Sequence, residues 1–311
     1  MRGHPLKPQR VSILLNSSSG TTAGKKPDDL RAELEAIFRK HAISASLEFV
    51  AASELQGAAR RAVKRATAGE IDAIVVGGGD GTIRTVASAV LGTDIPLGII
   101  PLGTLNHFAK DLKIPLPIDD AVAVISGGVH RSVDVGEVNG ETFINNSSIG
   151  IYPYLVLDRD RRRERQGLSK WPAMIMAGLR AFWNLPLRRL RIRAQNWQDA
   201  CRSPCVFIGN NAYDLKGSSF GSRASLDGGE LCLFVARQQS RLALLWVAVR
   251  CVAGLVDQSD LRTVTAPAVE VGSRRKRLLV ALDGEIQSMQ TPLRYRIKPA
   301  AIRVLALPSH L

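Results

Sequence analysis

The chain has 311 residues, 45% of them hydrophobic, and 42 Lys and Arg against 28 Asp and Glu give it a formal charge of +14. That length exceeds what one hydrophobic core normally serves, so two domains are expected, and the composition excludes both a disordered chain and one integral to a membrane. The excess of cations asks for an anionic partner: nucleic acid, acidic membrane or phosphorylated ligand.

In chain order, the polar start MRGHPLKPQR leads into an apolar run too short for a signal-peptide core, so a cytoplasmic protein is expected. The runs VSILLN (11–16), SLEFV (46–50), IDAIVV (71–76) and PLGII (96–100) are short, aliphatic and rich in β-branched residues, as in strands buried on both faces. Helical patterns separate them. Asp28 or Asp29 is placed to cap a helix whose Leu30, Leu34, Ile37 and Phe38 share a face, and after Ser53 the series Leu55, Ala59, Ala62, Val63 and Ala66 repeats that spacing. The alternation predicts a doubly wound parallel-sheet α/β domain over residues 1–131.

Near residue 130 the pattern changes. RSVDVGEV and ETFINN flank Asn139-Gly140, a two-residue hairpin signal, and RLRIRA, CVFIGN, ELCLFVA, LRTVTA, RLLVAL, LRYRI and AIRVLAL follow as strand-like runs, with a helical insertion at 240–256. They predict a second, mainly antiparallel β-rich domain over 132–296, with 297–311 returning to the first. Residues 158–193 hold eleven Lys or Arg against three acids. There Arg161, Arg162, Arg163, Arg165 and Lys170 beside Trp171 suit a helix lying in an anionic membrane surface, and they suit equally a solvated charged face over a core helix. The longest apolar stretches, 172–187 and 242–256, are each interrupted by an arginine and too short to cross about 30 Å of hydrocarbon. The four cysteines make no metal-type spacing and read as reduced thiols.

The stretch VVGGGDGT, residues 75–82, concentrates the chemistry. A glycine-rich turn leaving the C-terminal end of a buried parallel strand lies where open α/β sheets bind ligands, and its N–H groups can approach a phosphate. Thr82 is placed to cap the helix that follows. The charge of Asp80 would repel a phosphate, so its chemical use runs through Mg2+ or through a proton taken from an attacking hydroxyl. A tight strand-to-helix turn, with the aspartate as a local cap, accounts for the same residues without chemistry. NSSSG (16–20) and PLGTLNHFAKDLKIP (101–115) bring two more donor-rich loops to the same expected sheet edge. The Walker and dinucleotide spacings are absent, and GSSFG (217–221) lacks the strand-turn-helix context of a nucleophile elbow.

Together these segments resemble the diacylglycerol kinase catalytic-domain family, which includes bacterial lipid kinases and sphingosine and ceramide kinases. The resemblance covers nearly the whole chain: an Asn-Pro-x-Ser-Gly-like loop at Asn16 to Gly20, the GGDGT loop at Gly78 to Thr82, a Pro-x-Gly-Thr-x-Asn segment at Pro101 to Asn106, FINNSSIG, and Asp283-Gly284-Glu285. It implies transfer of the γ-phosphoryl group of ATP to a membrane lipid hydroxyl with Mg2+, by a protein peripheral to the inner membrane face. It also implies nucleotide contacts from Asn16, Ser17, Ser18, Ser19, Gly20, Gly78, Gly79, Asp80, Gly81, Thr82, Ile83, Arg84, Gly103, Thr104 and Asn106. The base and metal- or nucleotide-positioning roles fall to Asp283, Glu285 and Asp80, undivided among them.

The chain departs from the family's pattern at several positions. Ser17 replaces a proline, Arg84-Thr85 stands for Asn-Glu, His107 for aspartate, and VAAS for a threonine after the second strand. Gly228 takes the place of a metal-binding aspartate of some bacterial members, with Asp227 one residue out of register. Two other readings compete. A kinase of a soluble metabolite such as NAD fits GGDGT but not the Asn106 segment, the late Asp-Gly-Glu and the basic-aromatic stretch together. A non-catalytic module binding nucleic acid or anionic lipid fits the charge and leaves the three loops unexplained.

Overall fold

The computed structural model describes residues 7–17, 26–127, 129–150, 188–195, 197–203, 205–213, 222–223, 225–236 and 261–307. Two compact units divide the chain, Met1–Val135 with Pro299–Leu311, and Gly136–Lys298.

In the first unit β1 (Arg10–Asn16) lies between β2 (Ser44–Val50) and β3 (Ala73–Gly78), and β4 (Pro96–Pro101) follows β3. All three pairings are parallel. The C-terminal part of a long last strand, Leu293–Ala306, adds a further parallel pairing to β4 through Arg303 and Val304. Alternation sends the side chains of β1 to opposite faces. Val11, Ile13 and Leu15 join Leu30, Leu34 and Phe38 of α1 (Pro27–Lys40) and Val122 and Ile125 of α5 (Ile118–Gly127) in one core. Helices α2 (Leu55–Thr67) and α3 (Asp80–Val90) pack on each other and on the sheet, and the short α4 (His107–Asp111) follows β4.

The helix starts differ from expectation. Lys26 caps α1, so Asp28 and Asp29 sit in its first turn, where they complement the helix dipole instead of capping. Glu54, not Ser53, precedes α2. Because α3 begins at Asp80 with Gly79 as its cap, Thr82 is an internal, buried residue of the first turn.

The second unit is antiparallel. Strands β5 (Val129–Val138), β6 (Glu141–Phe143) and β7 (Asn146–Gly150) come first, and the unit boundary falls within β5. The expected hairpin forms: Asn139 and Gly140 take φ of 49° and 92°, as a type I′ turn needs, and Val138 pairs with Glu141. There follow β8 (Arg188–Ala194), β9 (Trp197–Ser203), β10 (Cys205–Asn210), β11 (Leu231–Ala236), β12 (Leu261–Ala266), β13 (Ala268–Ser273), β14 (Arg277–Leu282), β15 (Glu285–Gln290) and β16 (Leu293–Ala306). One sheet runs β12-β11-β10-β7-β14-β15, and β16, β13, β8 and β9 are neighbours in another. Their shared core contains Phe143 edge-on to Tyr295 at 6.2 Å, and burial pushes the Tyr295 phenol above its usual range although it hydrogen-bonds to Ser147.

LRYRI and AIRVLAL form one strand instead of two. Pro299-Ala300 reads as a break, but the chain continues with Ala300 at φ 48° and its N–H donating to the Asp134 carboxylate at 2.8 Å. Strands β9, β13 and β15 were not expected, because each has only a weak apolar alternation. The helical insertion at 240–256 and GSSFG lie outside the described residues.

Candidate functional site

Parallel register brings the sequence's loops to one edge. Leu15 pairs with Gly77 and Gly78 with Pro101, so Asn16, the Gly78–Thr82 turn and the Leu102–Asn106 loop all leave the C-terminal ends of neighbouring strands. The strand order reverses between β1 and β3, and a crevice at such a switch point is the usual ligand site of an open α/β sheet. The side chain of Asn16 donates to Thr82 Oγ1 at 3.1 Å, joining the first loop to the second. Ser17 turns away, both its N–H and its hydroxyl donating to the Val50 carbonyl.

The glycines are bare for a reason other than phosphate access alone. A Cβ on Gly77 would lie 2.3 Å from Leu15 Cδ2, one on Gly78 2.6 Å from Thr82 Cβ, and one on Gly103 2.4 Å from the Gly79 Cα. Two of the loops therefore touch backbone to backbone. The Gly103 loop closes on itself through Asn106, at φ 52°, whose amide accepts from Gly103 N–H at 2.9 Å and donates to its carbonyl at 2.8 Å. Thr104 and Leu105 stand exposed at its tip, whereas Ile83 is core. Asp80 locks the arrangement: its carboxylate accepts from the N–H groups of His107 at 3.1 Å and Phe108 at 3.0 Å, the first turn of α4. Gly79, the N-cap residue of the eleven-residue α3, makes no side-chain cap hydrogen bond, and the positive end of that helix lies at the same sheet edge.

Asp283 does comparable work in the second unit. With Gly284 it forms the turn between β14 and β15, at φ 47° and 89°, and its carboxylate accepts from Ile144 N–H at 2.8 Å, Asn145 N–H at 2.8 Å and Asn146 N–H at 3.0 Å. Sequence reading missed what holds the other side of that segment. The Ile144 carbonyl accepts from the buried Arg223 guanidinium at 2.7 Å and the Asn210 side chain at 2.9 Å, and the Asn145 carbonyl accepts from the Tyr213 hydroxyl at 2.9 Å. Ile144 C=O and Asn145 N–H belong to one peptide group, so a guanidinium and a carboxylate grip its two ends. Glu285, the first residue of β15, is exposed. No pattern in the polar loop around Arg223 marks it in advance, although GNNAY directly after an apolar strand is an unusual concentration of amides.

A family model described as the diacylglycerol kinase catalytic domain matches residues 10–138, and one described as the YegS C-terminal NAD kinase beta sandwich-like domain matches 159–306. "Probable lipid kinase YegS-like" of Pseudomonas aeruginosa is 31% identical over 251 residues, 80% of this chain and 81% of that protein. The chain belongs to the diacylglycerol kinase family of lipid kinases. "Lipid kinase YegS" of Escherichia coli K12 is 31% identical over 182 residues, 57% of this chain and 60% of that relative. A crystal structure of a diacylglycerol kinase from Bacillus anthracis shares the fold at TM-score 0.65 and 19% identity, over 97% of this chain and 98% of that one. Two further solved structures from the same organism reach 0.74 and 0.73, at 20% and 23% identity.

Membership in the diacylglycerol kinase family makes the chain a kinase and implies ATP use. The first unit fits a nucleotide: three loops at a switch point, with a helix N-terminus among them, suit a polyphosphate. For Mg2+, the described residues contain no group of three or more His, Cys, Asp or Glu that could hold an ion. Asp80 alone would suffice for an ion that keeps its waters and arrives with phosphates. Asp227 hydrogen-bonds to the Ser225 hydroxyl within its own turn, and a side chain at 228 would begin 2.9 Å from Oδ1 of the buried Asn211, whose amide already fills that space. Ser18, Ser19, Gly20 and the basic residues Arg161 to Trp171 lie outside the described residues. Among the described residues no helix is long and apolar enough to cross a membrane.

Proposed function

We propose that the chain transfers the γ-phosphoryl group of ATP, with Mg2+, to the hydroxyl of a membrane lipid alcohol of the diacylglycerol or sphingosine type, working as a cytoplasmic protein peripheral to an anionic membrane. The observation that carries this reading is the single edge of the parallel sheet where the Asn16, Gly78–Thr82 and Gly103–Asn106 loops converge, locked by Asp80. The soluble-metabolite reading shares that edge but is not favoured by the relatives, which are named as lipid kinases.

In the reaction the substrate hydroxyl oxygen bonds to the γ-phosphorus as the bond to the β–γ bridging oxygen breaks, ADP leaves and the hydroxyl proton passes to a carboxylate. Mg2+, when bound, neutralises charge on the β- and γ-phosphates. The N–H groups at the start of α3 orient the phosphates, and Asp80 keeps the Gly103–Asn106 loop closed beside them. Because Asp283 accepts three backbone N–H groups, we assign it a positioning role, and the proton-accepting role to Glu285, exposed at the start of β15.

The test is transfer of labelled phosphate from ATP to a panel of lipid alcohols in mixed micelles of an uncharged detergent. Wild-type protein is expected to label one lipid class. Glu285→Gln is expected to lower kcat at least a hundredfold, within the range of general-base contributions, with an unchanged unfolding midpoint. Absence of label from every lipid, with folded protein and label appearing in NAD, would overturn the lipid reading.

A further inference from the structure

The solvent face of the sheet formed by β16, β13, β8 and β9 carries a charge pattern that the phosphoryl-transfer site does not use. Along β8, exposed Arg189, Arg191 and Arg193 alternate with buried Leu190, Ile192 and Ala194. Register sets Arg193 against Glu270 and Arg191 against Gly272 on β13, and sets Glu270 against Arg294 on β16. The opposite face, with Ile192, Val271 and Tyr295, is core. On the solvent face a cavity of about 590 Å³ opens, lined among others by Arg189, Arg191, Arg193, Arg274, Ser273 and Glu270. Glu270 lies 3.8 Å from Arg193 and 3.3 Å from Arg294, so among the described residues of this patch one carboxylate answers five guanidinium groups.

Neighbouring side chains on one sheet face are about 7 Å apart along a strand and nearly 5 Å apart across strands, inside a Debye length of about 8 Å. At that spacing Arg189, Arg191 and Arg193, like charges along one strand, repel one another. Blunting of an exposed edge would explain arginines on an edge strand, but β8 is paired on both sides, to β13 and β9. Solubility asks for mixed signs, not one sign. Gly272 keeps the centre of the patch open, since a Cβ there would meet nothing nearer than 3.7 Å.

We propose that this arginine face docks the protein on the anionic lipid leaflet of a membrane, headgroup phosphates entering the cavity between Arg189, Arg191, Arg193 and Arg274. The choice of a membrane over another polyanion rests on the lipid-kinase reading; the docking itself does not require catalysis.

The experiment measures partitioning of the full chain onto sedimenting vesicles of phosphatidylcholine with and without phosphatidylglycerol. Alongside it, turnover is measured in the uncharged mixed micelles described above. Binding that requires phosphatidylglycerol and falls as salt rises is expected for wild type. Arg189→Gln/Arg191→Gln/Arg193→Gln should lose about a hundredfold in partitioning while keeping its micelle turnover, each arginine at an anionic surface contributing about fivefold. Glu270→Gln should bind more tightly than wild type, an effect opposite in sign to any loss of fold. If the triple variant does not fold, Arg191→Gln/Arg274→Gln should lose about twenty-fivefold. Wild-type binding to neutral vesicles as strong as to charged ones, undiminished binding by the folded variants, or arginine-dependent binding to duplex DNA tighter than to vesicles would each overturn the proposal. A wild type that docks but labels no lipid would instead count against the kinase reading alone.

Discussion

Asp80 and Asp283 each precede a glycine at the end of a buried strand, and each gives its carboxylate to backbone N–H groups of a segment far away in sequence. Their loads differ. Asp80 begins a helix in the parallel unit and accepts two N–H groups from α4, a helix of only five residues. Asp283 sits in a hairpin turn of the antiparallel unit and accepts three N–H groups of an extended segment, whose carbonyls are bound in turn by Arg223, Asn210 and Tyr213. The parallel sheet leaves helix ends at its edge, which need one anchor and remain open to a ligand. The antiparallel sheet leaves turns and crossing segments, which need polar groups on both sides to be buried at all.

The comparison is sharpest in the loss of each carboxylate. Asp283→Ala is expected to cost about 3–5 kcal/mol of folding stability, because it strands three N–H donors and leaves Arg223 gripping one end of a peptide whose other end is unheld. Asp283→Asn should cost less, since asparagine tolerates the positive φ and keeps an acceptor. Urea unfolding would measure both, and a cycle with Arg223→Met should show that the double variant loses less than the sum of the singles. Additive losses would mean that the shared peptide transmits nothing between the two groups.

Asp80→Ala should cost less, about 1–2 kcal/mol, because the freed N–H groups begin a short helix near solvent where water can replace the carboxylate. Its larger effect is functional. With the Gly103–Asn106 loop no longer held by α4, the KM for ATP is expected to rise at least tenfold. Equal stability losses for Asp80→Ala and Asp283→Ala would break the distinction between an open anchor and a closed clamp.

The four parallel strands, the faces of α1 and α2 and the Asn139-Gly140 hairpin were legible because each rests on a local rule: aliphatic runs, helical spacing, or an Asn-Gly pair with positive φ. The convergence of Asn16, Gly78–Thr82 and Gly103–Asn106 was legible too, since parallel strands put their C-terminal loops at one edge. The roles inside that edge were less so. Thr82 looked like a cap because it is a hydroxyl after glycines, but Asp80 and Gly81 already belong to α3 ahead of it, and only the packed structure shows it receiving Asn16. The glycine loop read as bare backbone for phosphate, whereas Gly77, Gly78 and Gly103 are also bare because Leu15, Thr82 and Gly79 press against them. Arg223 was invisible for a further reason: its partners lie 13 to 79 residues away, and no spacing rule reaches that far.

Glu137 offers the smallest and cleanest contrast, a carboxylate held by cations instead of peptides. Buried at the end of β5, it lies 2.5 Å from both Arg296 and Lys298. Burial pushes its carboxyl up, but hydrogen bonds from Lys298 and Arg296 outweigh burial and hold it below the usual carboxylate range. A carboxyl with a lowered folded value contributes stability above its unfolded value, near 4.3, and loses that contribution as pH falls through the folded value. Glu137→Gln should therefore be less stable than wild type by about 1 kcal/mol at neutral pH, and the gap should close on acidification below about pH 4. Thermal unfolding of the pair across that range decides it. A gap independent of pH would mean that ionisation of Glu137, and so its pairing with the charges of Arg296 and Lys298, does not set the difference between the acid and its amide.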